Sequence, residues 1–242
     1  FASRSGGAGL LGAGSGIYSQ PNPPDERAFG VAQVQQSEII DLVDRSPVRA
    51  IRWRDRSRAP GAYLRGMALS FAWMLRELHA NDPIALEIAA PALGAPDRDA
   101  LAHCADLFTA AGIPAVATAD DQLKRVYTLL VGLGMRESSG KHCEGRDQSA
   151  RNVQANTCET GLFQVSYNSH VASPLLDQLV ANYAGPDLLE TFSQGVECSA
   201  LSWHNEGAPG PGVDFQAKTK SNPGFAVAYS ALLLRKLRRH WG

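Results

Sequence analysis

Long apolar runs are missing from this 242-residue chain. No stretch approaches the ~18 apolar residues that a membrane-spanning helix requires, so a soluble chain without a membrane span is expected. An excess of charge is missing too. Lys and Arg number 23 against 24 Asp and Glu, a formal net charge of −1. That balance argues against general nucleic-acid binding and against a polyanion-seeking surface. The chain contains no H-E-x-x-H, no calcium loop of alternating acids and no phosphate-cradling glycine loop. Its four cysteines, Cys104, Cys143, Cys158 and Cys198, nowhere form C-x-x-C. No zinc pattern is met, and neither a metal nor a cofactor is expected.

Four cysteines allow three complete pairings, and the sequence does not choose among them. Cys143 and Cys158 flank a polar stretch in which a disulfide would restrain the chain. Cys104 sits in an alanine-rich helical pattern and reads as a buried free thiol. The expectation is an exported protein, periplasmic or secreted, with at least one disulfide.

Hydrophobic residues make up 44% of the chain, enough to bury a substantial core in one large domain. Residues 1–27 are rich in Gly, Ser and Pro and cannot bury enough apolar surface to offset their ordering, so they read as a flexible segment. Residues 28–242 read as a single domain, divided into an N-terminal helical part (28–118) and a core (119–242). A short helix is expected over 33–43 from Val34, Ile39, Ile40 and Val43. Between Ala62 and His79, Leu64, Met67, Phe71, Met74, Leu75 and Leu78 form an i, i+3, i+4, i+7 stripe. Asp82-Pro83 starts another helix, with Pro where no amide donor is needed. Asp97 to Ala111 reads as a third, closed by Gly112 and Pro114. Asp120 or Asp121 caps a helix running to Glu137. Later helices are expected from Pro174 to about Tyr183, Pro186 to about Val196 and Pro223 to His240. Only Ala155–Val165 suggests short strands. No repeat and no β-α-β alternation is evident, so a mainly helical globule with a small irregular or β segment beside a cleft is the simplest reading.

The chemistry concentrates between residues 135 and 170. Leu123, Val126, Tyr127, Leu130 and Leu133 follow helical spacing toward Glu137, which places that carboxyl against apolar or small neighbours. Desolvation there would disfavour the charged form and keep a proton available near neutral pH. Gly132 and Gly134 cost about 0.5–1 kcal/mol each inside a helix. What they offer is close approach of a substrate or another helix. His142 and His170 flank the same region, and local hydrogen bonding is their ordinary role. Arg45, Arg49, Arg52, Arg54, Arg56 and Arg58 crowd between residues 45 and 58 and read as a solvated face with local ion pairs.

Arg136-Glu137-Ser138, Gly140-Lys141 and Gly161-Leu162-Phe163-Gln164-Val165 together resemble the goose-type lysozyme and soluble lytic transglycosylase superfamily, glycoside hydrolase family twenty-three. That family carries a Glu-Ser pair at a helix end, followed by Gly-Leu-Met-Gln. Trp203-His204-Asn205-Glu206-Gly207 is similar in order and position to its Ala-Tyr-Asn-Ala-Gly loop, with His204 where tyrosine is usual. The resemblance covers roughly residues 120–242; the N-terminal half carries no such motif. It implies a lysozyme-like α+β fold, a monomeric enzyme, and a glycan polymer as partner, peptidoglycan first. It makes Glu137 the catalytic acid, Gln164 a neighbour of the sugar, and Ser138 and Ser139 groups that orient the carboxyl. Tyr167 and Trp203 become candidates for stacking on sugar faces, with Ser166 and Asn205 also on the substrate.

One departure bears on mechanism. Where goose-type lysozymes have a carboxylate after Gly-Leu-Met-Gln-Val, this chain has Ser166. An inverting hydrolase needs a second carboxylate ~6.5–9.5 Å from the acid to activate water. Lytic transglycosylases use a single glutamate as acid and then base, and the sugar's 6-hydroxyl closes an anhydro ring. Ser166 tilts toward the one-acid route, but Glu144, Asp147 and Glu159 lie on the intervening loop, and Asp147 is the preferred second catalytic carboxylate. Two other readings remain: a chitin or chitosan hydrolase on the same scaffold, or a non-catalytic wall-binding module.

Overall fold

The structure is a computed structural model that describes residues 26–114, 118–149, 151 and 153–238, with side chains from residue 35 onward. Two compact units divide it, Phe1–Gln35 and Gln36–Gly242, and the core lies in the second. Apart from Glu26 and Arg27, which are helical, the segment expected to be flexible (1–27) lies outside the described residues.

Eleven α-helices follow in chain order among the described residues: α1 (Glu26–Arg45), α2 (Gly61–His79), α3 (Pro83–Ile88), α4 (Ala100–His103), α5 (Ala105–Ala110), α6 (Ala119–Ser138), α7 (Pro174–Asn182), α8 (Leu189–Ser193), α9 (Ala200–Trp203), α10 (Pro211–Ser221) and α11 (Pro223–Leu237). The mainly helical class is therefore observed. Sheet structure is not: the described residues hold only two isolated β-bridges, Arg52 with Arg58 and Thr160 with Val165. The second is all that forms of the strands expected over 155–165.

Start and stop signals explain most boundaries. Asp82 Oδ1 accepts the amides of Ile84 and Ala85, each at 2.9 Å, and opens α3 with Pro83 behind it. Ser173 Oγ accepts the Leu175 amide at the start of α7. Several expectations need correction. Neither Asp120 nor Asp121 caps α6; Thr118 does, and Asp121 returns the bond from the third position to close a capping box. The single helix expected over Asp97–Ala111 is two, α4 and α5, broken at Cys104, and its cap is Asp99, whose Oδ1 accepts the Leu101 amide. The 186–196 helix is only Leu189–Ser193, because Asp187 rather than Pro186 supplies the opening acceptor. The first helix is longer than 33–43, and α10 was not foreseen.

Helix α11 is the hub. Its residues Pro223 to Leu232 are buried, and it packs on α2, α3, α6, α7, α8 and α10. Phe215, Phe225 and Tyr229 stack edge-on or tilted, with centroids 5.0–5.8 Å apart, at the α10–α11 corner. Helix α2 lies against α6, with its Leu64, Met67, Met74 and Leu78 buried as the stripe predicts. Gly134 makes this contact possible. A Cβ there would run into Tyr63 Oη, whose hydroxyl donates to the carbonyls of Leu130 (3.0 Å) and Val131 (2.9 Å). Gly134 therefore serves the packing of a helix.

Gly134→Ala is accordingly expected to destabilise by about 1–3 kcal/mol despite alanine's better helix propensity. Urea unfolding checks this. Tyr63→Phe in the same chain should recover part of the loss, because it removes the obstructing oxygen; strict additivity of the two changes would contradict the contact.

Candidate active site

Glu137 is the second-last residue of α6. The helix stops because Ser139 adopts the left-handed conformation, φ 55°, and Gly140 follows at φ 78° against the Tyr63 ring. Ser139 N–H returns to the Met135 carbonyl and Gly140 N–H to that of Gly134. Ser138 is buried and turned inward: its hydroxyl is 3.0 Å from the Gly134 carbonyl and 2.8 Å from that of Leu162. The Ser138 hydroxyl is thus engaged by backbone carbonyls and not by the Glu137 carboxyl. Ser138 fastens the helix end to the following turn, and Ser139 ends the helix.

That turn is Thr160–Val165. Its two ends pair through amide–carbonyl bonds of 3.1 and 3.2 Å. Leu162, Phe163 and Val165 are buried. Gly161 is left-handed and presses against Thr219, where a Cβ would be crowded. Gln164 is left-handed as well, φ 47°. Its amide nitrogen donates to the carbonyls of Gly145 and Gly161, both at 3.1 Å, and Gly161 N–H donates to the Glu144 carbonyl at 2.8 Å. Gln164 thereby joins the turn to the 144–148 loop.

Between the end of α6, this turn, the 144–148 loop and α9 lies a polar cleft of about 620 Å³. Glu137, half-buried, lines it together with Gln164, Asp147, Glu144, Glu159 and Arg56. Arg56 carries information that the arginine run did not reveal. It is no mere solvated charge: its Nε donates to the Met135 carbonyl (3.2 Å) and a terminal nitrogen to the Arg136 carbonyl (2.7 Å). A cation thus sits on the negative end of α6, beside Glu137. Arg136 and Arg146 also line the cleft, and Arg146 pairs with Glu206 at 3.2 Å. Asp147 Oδ1 accepts the amide and hydroxyl of Ser149, at 2.8 and 2.7 Å. These bonds hold its carboxyl below the usual range, so it stays ionised near neutrality.

The other expected substrate residues do not line this cleft. Ser166 bonds Asn168 and lines a smaller cavity of about 140 Å³ that borders the cleft at Glu159 and Gln164. Tyr167 packs against Phe215 and the His170 ring. Trp203 sets its ring edge-on to His142, and Asn205 is half-buried with an unpartnered Oδ1. His170 makes a short bond to Asp177. Tyr167 is thus packed against other rings, whereas Trp203 keeps much of its surface exposed, at 41%.

The far wall rests on a buried scaffold. A disulfide joins Cys143 to Cys198, so Cys158 is a buried free thiol, as is Cys104. The loop restraint imagined between Cys143 and Cys158 comes instead from a partner just ahead of the wall residues Ser199, Leu201 and Ser202. Lys220, fully buried, donates from Nζ to the carbonyls of Ser202 (3.0 Å) and His204 (2.8 Å) at the end of α9. Burial lowers its pKa from 10.5 to about 8. His142, also buried, contacts the Lys220 carbonyl through Nδ1, and burial lowers its pKa as well.

A depressed lysine pKa means that the unfolded chain binds the proton more tightly than the folded one. Below pH 8 both states are charged and the folded state bears the full desolvation cost. Stability therefore gains as pH rises from about 8 toward 10.5. In guanidinium unfolding, wild type relative to Lys220→Met should become more stable between pH 8 and 9.5; a flat difference would contradict a buried, titrating Lys220.

No family model, curated protein or solved structure matches this chain.

Proposed function

We propose that this chain cleaves β-1,4 bonds in peptidoglycan, with Glu137 as the acid that protonates the bridging oxygen. The observation that carries the reading is the siting of Glu137: a half-buried residue at a helix end, on the lining of a polar cleft of about 620 Å³ that Gln164 also lines. Its family resemblance supplies the substrate class, and the cysteine pair fits an oxidising envelope or external compartment. Among the described residues no helix is long and apolar enough to cross a membrane.

Two routes follow from the same acid. In the one-acid route Glu137 gives its proton to the leaving oxygen. The resulting carboxylate then takes the proton of the sugar's own 6-hydroxyl as the anhydro ring closes. Hydrolysis instead requires a carboxylate to take a proton from water across the sugar. Asp147 suits that task in charge, being ionised and on the cleft lining. Its Oδ1 is already engaged by Ser149, however, leaving Oδ2 for water. Ser166, turned to Asn168 outside the cleft, supplies no base. Glu144 and Glu159 also line the cleft, so what favours the single-glutamate route is Ser166 in the place where a carboxylate would follow the turn.

Digestion of purified peptidoglycan followed by mass analysis of the muropeptides tests both points. Anhydro ends, lighter by one water than reducing ends, are expected. Glu137→Gln should lower turnover by at least ~10²-fold while leaving glycan binding unchanged. Asp147→Asn should change turnover less than about threefold; reducing-end products together with a large loss in that variant would turn the reading to hydrolysis. A wild type that binds wall polymer without any turnover would leave the binding-module reading in its place.

A further inference from the structure

Behind the far wall of the cleft, His142, Cys143 and Cys198 place one ligand atom each within 4.8 Å of one another. The two cysteines are joined. The histidine is the unexplained member. Its Nδ1 lies 2.9 Å from the Lys220 carbonyl. A carbonyl only accepts, so Nδ1 carries the proton and Nε2 is left with a bare lone pair. That lone pair faces Cys198 Sγ at 3.7 Å. A disulfide sulfur has no hydrogen to donate, and His142 is 1% exposed. An acceptor is thus buried, aimed at sulfur, and given nothing to accept.

Reduction supplies its partner. A dithiol reductant passes two electrons and two protons to the disulfide; the S–S bond breaks, two thiols form, and the reductant leaves as its own disulfide. We propose that in this reduced state His142 Nε2, Cys143 Sγ and Cys198 Sγ bind one thiophilic divalent cation of the zinc class, with water completing a tetrahedron. The cation displaces the two thiol protons to solvent. Bond lengths of ~2.3 Å to sulfur and ~2.0–2.1 Å to nitrogen put tetrahedral N and S ligands about 3.5 Å apart, and two sulfurs about 3.8 Å apart. The observed 3.7 Å between Nε2 and Cys198 Sγ already meets the first spacing. The second asks only that the freed sulfurs relax to non-bonded contact.

The Lys220 carbonyl on Nδ1 is the kind of outer partner that fixes the tautomer of a zinc-bound imidazole. Two thiolates and an imidazole select zinc-like ions over magnesium or calcium. Disulfide and cation would occupy the same three residues in turn, and either one keeps the 144–148 loop tied to α9. This inference stands apart from the glycan reading.

The test uses the full chain carrying Cys104→Ser and Cys158→Ser, so that only the proposed thiols remain. The protein is reduced with a phosphine, freed of reductant without oxygen, and titrated with Co²⁺. The expected result is one cobalt per chain, with a thiolate-to-cobalt charge-transfer band and visible bands of tetrahedral coordination that Zn²⁺ abolishes. The oxidised chain should show neither. Adding His142→Gln or Cys198→Ser should weaken cobalt binding at least ~10-fold. An equal response from the oxidised chain, no band after reduction, or an unchanged band in His142→Gln overturns the proposal. Circular dichroism is recorded in parallel, and a reduced chain that is unfolded with and without cobalt overturns it too. If the double serine background does not fold, Cys143→Ser in the otherwise unchanged chain decides: a lost band supports the site and a retained band refutes it.

Discussion

The carbonyl groups at the end of α6 must find donors just where the helix stops, and meeting that demand organises the site around them. Gly134 O receives the Ser138 hydroxyl and the Gly140 amide; Met135 O receives the Ser139 amide and Arg56; Arg136 O receives Arg56 again. One turn earlier, Leu130 and Val131 carbonyls take a further bond from Tyr63. Unpaired, such groups would each cost a desolvation penalty of about 1–3 kcal/mol. Because their donors come from α2, from the 51–58 segment and from the helix's own C-terminal turn, the position of Glu137 is fixed by three parts of the chain at once.

The opposite wall is held by different physics. There a covalent link, a buried ammonium and a buried imidazole converge on the short α9 and the irregular chain around it. Lys220 offers its charge to the carbonyls of Ser202 in α9 and His204 just past it, and its own carbonyl to His142, so one residue ties α10 to both sides of the disulfide. The glutamine side chains continue the pattern. Gln164 spans from the Thr160–Val165 turn to Gly145, and Gln216, wholly buried, bonds the Glu206 amide and the carbonyls of Ala155 and Glu206. The cleft is thus bounded by irregular backbone whose polar groups are satisfied by side chains, since regular structure cannot satisfy them there.

Local rules made much of this legible beforehand. The α2 stripe, the Asp82-Pro83 start, the Ser173-Pro174 start and the placement of Glu137 at a helix end all depend on neighbours within a few residues, and all were readable. The ion pairs of Asp99 were not, because they come from Arg235 and Arg238 at the far end of the chain. The same holds for Arg56, whose partners are some 80 residues away, and for Cys198 as the mate of Cys143, 55 residues distant. Tyr167 and Trp203 look like sugar platforms when only their flat faces are considered. Their ring contacts, with Phe215 and with His142, come from residues that sequence order does not bring near them. The pattern behind Glu137 was visible; the donors that hold it were not.

Asp99 has a further meaning for how the molecule comes apart. Its carboxylate has no solvent exposure, receives Arg235 from α11 and Arg238 just past its end, and also takes the amides of Leu93 and Leu101. Peeling the 93–101 stretch from α11 would strand an almost completely enclosed guanidinium, Arg235, without its counter-ion, and breaking a buried pair this way is far more costly than never building it. Partial opening of that flank is therefore suppressed, and two regions of chain separated by 136 residues must melt as one cooperative body.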